Sequence, residues 1–182
     1  MKIIGDGGHA QVVRDVLERM DKVFDGSHCF IAVGDNAARK REAAAHPDFI
    51  YPVLVDPSAI VSRSARIGEG TIIMAGVVVQ AEAFIGRHVI LNTGCSCDHG
   101  CVIEDYAHIA PGAHLCGDVC VGEGALVGVG SCAVPGASVA EWSLVKAGSI
   151  IKLPARPFSP TRSRATSSGC FANTLAHHSR SP

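Results

Sequence analysis

The chain has 182 residues, a formal net charge of −1, 47% hydrophobic residues, only 5% aromatic ones and 20 glycines. That length suits one good-sized domain or two small ones, and the near-zero charge gives no reason to expect nucleic acid or an acidic membrane surface as a partner. No apolar run approaches the ~18 residues of a membrane span; the longest is 72-IIMAGVVV-79, and the opening MKIIGDGGHA has no apolar core of signal-peptide length. Eight cysteines without an export signal lead us to expect reduced thiols and a cytoplasmic protein, not a disulfide framework.

The first elements form a small lobe. Residues 2-KII-4 predict a short strand, 5-GDGGHA-10 a glycine turn, and Ala10, Val13, Leu17 and Met20 one face of a helix. Gly5, Gly7 and Ala10 fit G-x-G-x-x-A, in which bare backbone and a helix N-terminus can meet a phosphate; a tight turn that simply needs glycine fits the same residues. A second strand, 29-CFIAVG-34, runs into a helix over 35-DNAARKREAAA-45, with Asp35 or Asn36 as its cap. Its Arg39, Lys40 and Arg41 can meet an anion or form a solvated face. Only 21-DKVFDGSH-28 lies between the first helix and the second strand, so the lobe is abbreviated relative to a full nucleotide-binding fold. Residues 47-PDFIYPVLVDP-57 lead out of it.

From Val55 onward a six-residue ruler applies. Steps of six land on Val55, Val61, Ile67, Ile73, Val79, Ile85, Leu91, Cys97, Ile103, Ile109, Leu115, Val121, Val127, Ala133, Val139, Val145 and Ile151. Two places earlier the residue is usually small, as at Ala59, Ala65, Cys95, Cys101 and Ala113. A period of six fits neither an ordinary helix nor an alternating strand. It fits short strands joined by tight corners, with the aliphatic and the small residue pointing inward and glycine after the aliphatic (Gly68, Gly86, Gly122, Gly128) relieving the corner. Three strands close one triangular coil of eighteen residues, and stacked coils bury a continuous core. The register never slips between 55 and 151, so a little over five coils without a looped insertion are expected.

The ruler sorts the crowded stretch 95-CSCDHGC-101. Cys95 and Cys101 take the small inward position and Cys97 the aliphatic one, as core fillers. Cysteines pointing inward from two faces do not converge as a metal knuckle requires. No histidine stacks on another at eighteen residues, so the zinc chemistry found on some solenoids is not expected either. His99 falls at a corner that faces out, whereas His88 and His114 are expected as surface residues without a role.

The segments GDGGHAQVVRD, FIAVGDNAARK, DPSAIVS, IGEGTIIMAGVVVQ, LNTG, the DH pair and HIAPGAHLCGDVCVGEGALVGVGS together resemble the left-handed β-helix acetyltransferases of bacterial surface-sugar synthesis. The resemblance runs from residue 1 to about 155. It implies a mainly β chain: a left-handed parallel β-helix over 53–155 behind an abbreviated α/β, Rossmann-like lobe over 1–52. It implies acetyl-CoA as cosubstrate, a nucleotide-linked amino sugar (or, in the sialic-acid branch, a sugar hydroxyl) as acceptor, and a homotrimer with acetyl-CoA in the groove between neighbouring solenoids. Carried over position by position, it makes His99 the general base. His108 and the backbone around Gly117 and Val129 would contact acetyl-CoA. Gly7, Gly8 and His9 would lie against the sugar nucleotide, with Gly34, Asn36 and Arg39 nearby. A non-catalytic sugar-nucleotide-binding solenoid is the alternative.

Stacking arithmetic adds detail at His99. Eighteen residues on stands Gly117, which leaves room for a thioester and exposes a backbone N–H. Asp118 falls over Gly100, the place where the resembled proteins carry an acid after the base; Asp118 and Asp98 are the two carboxylates that can orient the imidazole. A neutral imidazole suits an amine that must lose a proton as its new bond forms. The last stretch, 156–182, is polar, rich in Ser and Arg and without periodicity, and reads as a loosely ordered tail.

Overall fold

The computed structural model describes residues 1–20 and 24–153; the expected tail at 156–182 lies outside the described residues. In the lobe, β1 (Lys2–Ile4) and β2 (Cys29–Ile31) pair in parallel, Lys2 opposite Cys29. A parallel pair needs a crossover, and α1 (Gly8–Arg19) supplies it. In α2 (Asn36–Ala45) the cap is Asp35, whose carboxylate accepts the Ala38 N–H at 2.7 Å; the Asn36 amide is engaged elsewhere.

The rest is the expected prism, a left-handed β-helix. Two-residue strands run from Leu54–Val55 to Ile150–Ile151 and form three parallel sheets of six, six and five strands. Each strand pairs with the one eighteen residues away, as Ser96 does with Val78 below and His114 above. The second residue of each strand points inward, and the small residue two places before it fills the remaining space. Cys95, Cys97 and Cys101 are fully buried among Val79, Ile85, Ile103 and Leu115. Burial raises the Cys101 thiol to about 11 and Cys95 to about 12, so these sulfurs are inert filler. Cys29, Cys95, Cys97, Cys101, Cys116 and Cys132 are free thiols.

The corners differ from the expectation in an informative way. The left-handed residue is the third after the inward aliphatic, with φ between +52° and +71° from Gly70 to Gly148, and it is most often glycine. The glycines directly after the aliphatic serve another purpose. A Cβ on Gly68 would lie 2.6 Å from the Gly86 carbonyl, and one on Gly122 would lie 2.5 Å from the Glu141 nitrogen. They are small because successive coils touch there, not because the turn needs their φ.

One of the left-handed columns carries rings. His88 stacks face to face on Tyr106, 5.4 Å between centroids, and meets Tyr51 edge-on at 4.7 Å. His88 is therefore not the surface residue expected from sequence: it is 4% exposed, because the lobe and its neighbouring ring close over it. Burial, then the Arg39 and Arg87 charges, depress it from 6.5 to about 4. The unfolded chain thus takes up a proton that the folded chain refuses. Stability is complete above about pH 6.5 and falls as the pH drops toward about 4, by about 3 kcal/mol for this residue alone. Thermal midpoints across that window, compared with His88→Gln, should show a shallower acid slope in the variant; equal slopes would refute the assignment.

The lobe sits on one face of the prism. Along that face the outward residues Leu54, Ile72, Ile90 and His108 are at most 7% exposed, whereas Leu144, further up the same column, is 70% exposed. Ala10, Val13 and Val16 of α1 pack there with Phe30, Ile72, Met74 and Ile90. Each large apolar side chain buried in such a seam contributes roughly 1.5–3 kcal/mol.

Candidate active site

Two groups of side chains emerge, on different parts of the prism. The first is the corner at His99. The strand Ser96–Cys97 ends there, and the Asp98–His99–Gly100 turn carries the imidazole outward; His99 is exposed and Asp98 half-buried. The Asp118 N–H donates to the His99 carbonyl at 3.0 Å, which holds the next coil in register. A Cβ added to Gly117 would lie 2.5 Å from Cε1 and 2.6 Å from Nε2 of His99. The ring therefore lies directly under bare backbone, as the eighteen-residue arithmetic anticipates, but it fills the space itself rather than leaving it open for a thioester. Asp118 is in the left-handed region (φ 59°), a conformation Asp tolerates better than most residues. Its Oδ1 lies 2.3 Å from where a Cβ on Gly100 would be, so this carboxylate fills the space that a side chain at position 100 would occupy.

The tightness at Gly117 gives a direct test. Gly117→Ala leaves no room for the ring as it stands, since real Cβ atoms do not approach within 3.0 Å. A displacement of about 1 Å in a reacting group can cost about 10²-fold in rate. We expect that order of loss in kcat with a thermal midpoint close to that of the parent; an unchanged kcat would show that the ring's place does not matter.

The second group gathers at the seam between lobe and prism. His9, at the start of α1, lies against Gly34, where a Cβ would be 2.8 Å from its Cε1 and Nδ1. Its ring meets His108 edge-on at 5.6 Å. Burial first, then the Arg39 charge, lowers His9; the same two causes, with His9 added, bring His108 down to about 3. Both rings are neutral near pH 7. Asn36 donates to the Gly124 and Ala125 carbonyls at 3.0 and 3.3 Å. Arg39 is 1% exposed. It donates through Nε to His88 O, through Nη1 to Val33 O and Gly34 O, and through Nη2 to Asn36 Oδ1, Tyr106 O and Ala107 O. Asn36 and Arg39 therefore shape the Gly34 turn from behind rather than facing outward from it.

Gly7 and Gly8 are exposed at the head of α1, with open space where side chains would be. Val129 is 54% exposed on a corner above the Asn92–Thr93 turn. Sequence reasoning did not foresee the hydrogen bond between Asn92 and His108, at 3.1 Å; the two are sixteen residues apart, two places off the stacking interval. Lys40, expected to meet an anion or face solvent, pairs with Glu123 and lies over the rings of Tyr106 and Trp142. Among the described residues, no three His, Cys, Asp or Glu side chains gather closely enough to hold a metal ion, and no helix is long and apolar enough to cross a membrane.

No family model matches the chain. It is similar to the UDP-N-acetylbacillosamine N-acetyltransferase of Bacillus subtilis, 41% identical over an alignment covering 40% of this chain and 50% of that protein; the chain thus spans half the length of the curated relative it matches. Among solved structures, the acetyltransferase domain of PglB from Neisseria gonorrhoeae superposes with a TM-score of 0.76 at 33% identity, covering 85% of this chain and 92% of that one. PerB from Caulobacter crescentus, solved with CoA and GDP-perosamine, superposes with a TM-score of 0.76 at 36% identity, covering 84% and 89%.

Proposed function

Because the chain belongs to the family of hexapeptide-repeat, left-handed β-helix sugar acetyltransferases, we propose that it moves the acetyl group of acetyl-CoA onto an amino group of a nucleotide-linked sugar. The observation that supports this most is the His99 corner, where an exposed imidazole lies under the bare backbone of Gly117. The sugar amine attacks the thioester carbonyl and forms the C–N bond. Its proton passes to the His99 ring, the C–S bond breaks, and the departing CoA thiolate takes up a proton. Gly117 N–H has no acceptor among the described residues and is the donor we assign to the oxyanion, an effect of about 3 kcal/mol where such a donor has been removed. Asp118 and Asp98 are the carboxylates that orient His99.

Gly7, Gly8, His9 and Gly34 receive the sugar nucleotide, with Asn36 and Arg39 fixing the turn behind them; His108, Gly117 and Val129 receive acetyl-CoA. Within one chain the His99 corner and the His9–His108 seam belong to different faces of the prism. A homotrimer, in which a neighbour brings its seam to this corner, would complete the site. We place the reaction in the cytoplasm and assign residues 1–52 to the nucleotide-sugar lobe and 53–155 to the acetyltransferase domain. The complex of PerB with CoA and GDP-perosamine shows the two ligand classes together on that relative.

The test is thiol release from acetyl-CoA against UDP-, GDP- and dTDP-linked amino sugars, together with a thermal shift on adding acetyl-CoA, since a ligand bound only by the folded state stabilises it by mass action. Release with at least one amino sugar supports the reading. No release with any of them and no shift would overturn it.

A further inference from the structure

The contact between Asn92 and His108 decides where a proton sits. Asn92 Oδ1 accepts the Thr93 N–H at 2.8 Å. A backbone amide can only donate, so this contact identifies the oxygen of the Asn92 side chain. The other terminal atom is then the NH2 group, which also can only donate. It lies 3.1 Å from Nε2 of His108. Nε2 must therefore be the bare, accepting nitrogen, and the single proton of the neutral ring must be on Nδ1. Free histidine favours the opposite form, so the neighbour imposes the choice.

We propose that Asn92 is a positioning residue that holds His108 as its Nδ1–H tautomer, so that the ring meets the acyl donor as a hydrogen-bond donor and not as a base. The surroundings agree. His108 is 7% exposed, and its Nδ1 is buried without a partner among the described residues. A buried donor left unpaired costs ~1–3 kcal/mol; a thioester or pantetheine carbonyl that reaches it once the seam beside His9 opens would recover that cost. A bare Nδ1 would repel that oxygen. The ring is also kept neutral by its burial and by Arg39 and His9, so what it offers is a directed N–H and not a diffuse charge. The ligand named here rests on the acetyl-CoA reading above; the tautomer itself does not.

The experiment labels the histidines with ¹⁵N and reads both ring nitrogens of His108 by long-range ¹H–¹⁵N correlation, with His108→Gln identifying its signals. The expected pattern is a protonated Nδ1 and a bare Nε2. Asn92→Asp replaces the NH2 donor with an accepting oxygen, leaves the Thr93 amide its partner and should invert the pattern. The Kd for acetyl-CoA, measured by calorimetry, should then weaken about tenfold, ~1.4 kcal/mol. A purely structural Asn92 would change stability without moving the ring proton. The proposal is overturned if the parent protein shows a protonated Nε2, if Asn92→Asp leaves Nδ1 protonated, or if the pattern inverts while the Kd stays put. A protein that behaves as expected here, yet acetylates no amino sugar, refutes the transfer reading alone and leaves this inference supported.

Discussion

His99→Ala should lower kcat by about 10²–10⁴-fold, the range expected when a positioned general base is removed. The imidazole is exposed. The variant should therefore keep its thermal midpoint, as surface substitutions usually stay within about 0.5 kcal/mol. Its Kd for acetyl-CoA should hardly change, because in the proposed mechanism the ring takes the proton of the attacking amine and does not hold the thioester. Loss of rate with unchanged binding is the signature of a group used in the transition state. Asp118→Asn should give a smaller loss than His99→Ala, since an orienting carboxylate acts through the ring. If His99→Ala retained more than about a tenth of the parent kcat, the proton would have to go elsewhere, and the assignment of this corner would fail with it.

Arg39→Leu is expected to produce the largest change in stability. The guanidinium ties the lobe's Val33–Gly34 turn to the His88, Tyr106 and Ala107 carbonyls of the prism. Leucine would fill part of the volume and leave those oxygens buried without donors, at about 3 kcal/mol or more in sum. Lysine is no substitute, because one ammonium cannot reach carbonyls spread around a planar fork. Coils of a solenoid depend mainly on their neighbours, so the prism should stay folded while the lobe comes away. Calorimetry should split into two transitions, and protease should cut first between residues 46 and 53. The Michaelis constant for the nucleotide sugar should rise, since the Gly34 turn loses its backing. A single transition at the parent temperature would mean that the apolar seam of Val13, Val16, Ile72 and Ile90 holds the lobe without Arg39.

What was legible in the sequence is what depends on neighbours six or eighteen residues away. The strands, the inward sulfurs of Cys95, Cys97 and Cys101, and the bare backbone over His99 all follow from counting, because each coil repeats the geometry of the last. What was not legible depends on where the lobe lands. His88 looked like a surface residue because its position in the hexad points outward; it is buried because Tyr51 and the lobe close over it. Arg39 looked like an anion-binding or solvated cation, and nothing in DNAARKREAAA distinguishes it from Lys40 or Arg41 until the carbonyls of a distant coil surround it. The turn glycines were half legible. The column at Gly68 and Gly86 was seen but given the wrong reason, and the left-handed column three places after the aliphatic is masked in the sequence by His88, Tyr106, Asp118 and Trp142, which adopt the same φ.

The eighteen-residue pairing interval also constrains how such a chain can change in length. A gain or loss of any other number of residues would have to bulge out as a loop, because it would rotate every later inward residue onto a different side. Whole coils can be added or removed, but not everywhere. Between His88 and Ala125 the prism carries the carbonyls that Asn36 and Arg39 grip, so their spacing is matched to one turn of α2. Growth or shrinkage by complete turns is free only above that clasp, toward Ile150, where divergent descendants of this architecture should differ most in height.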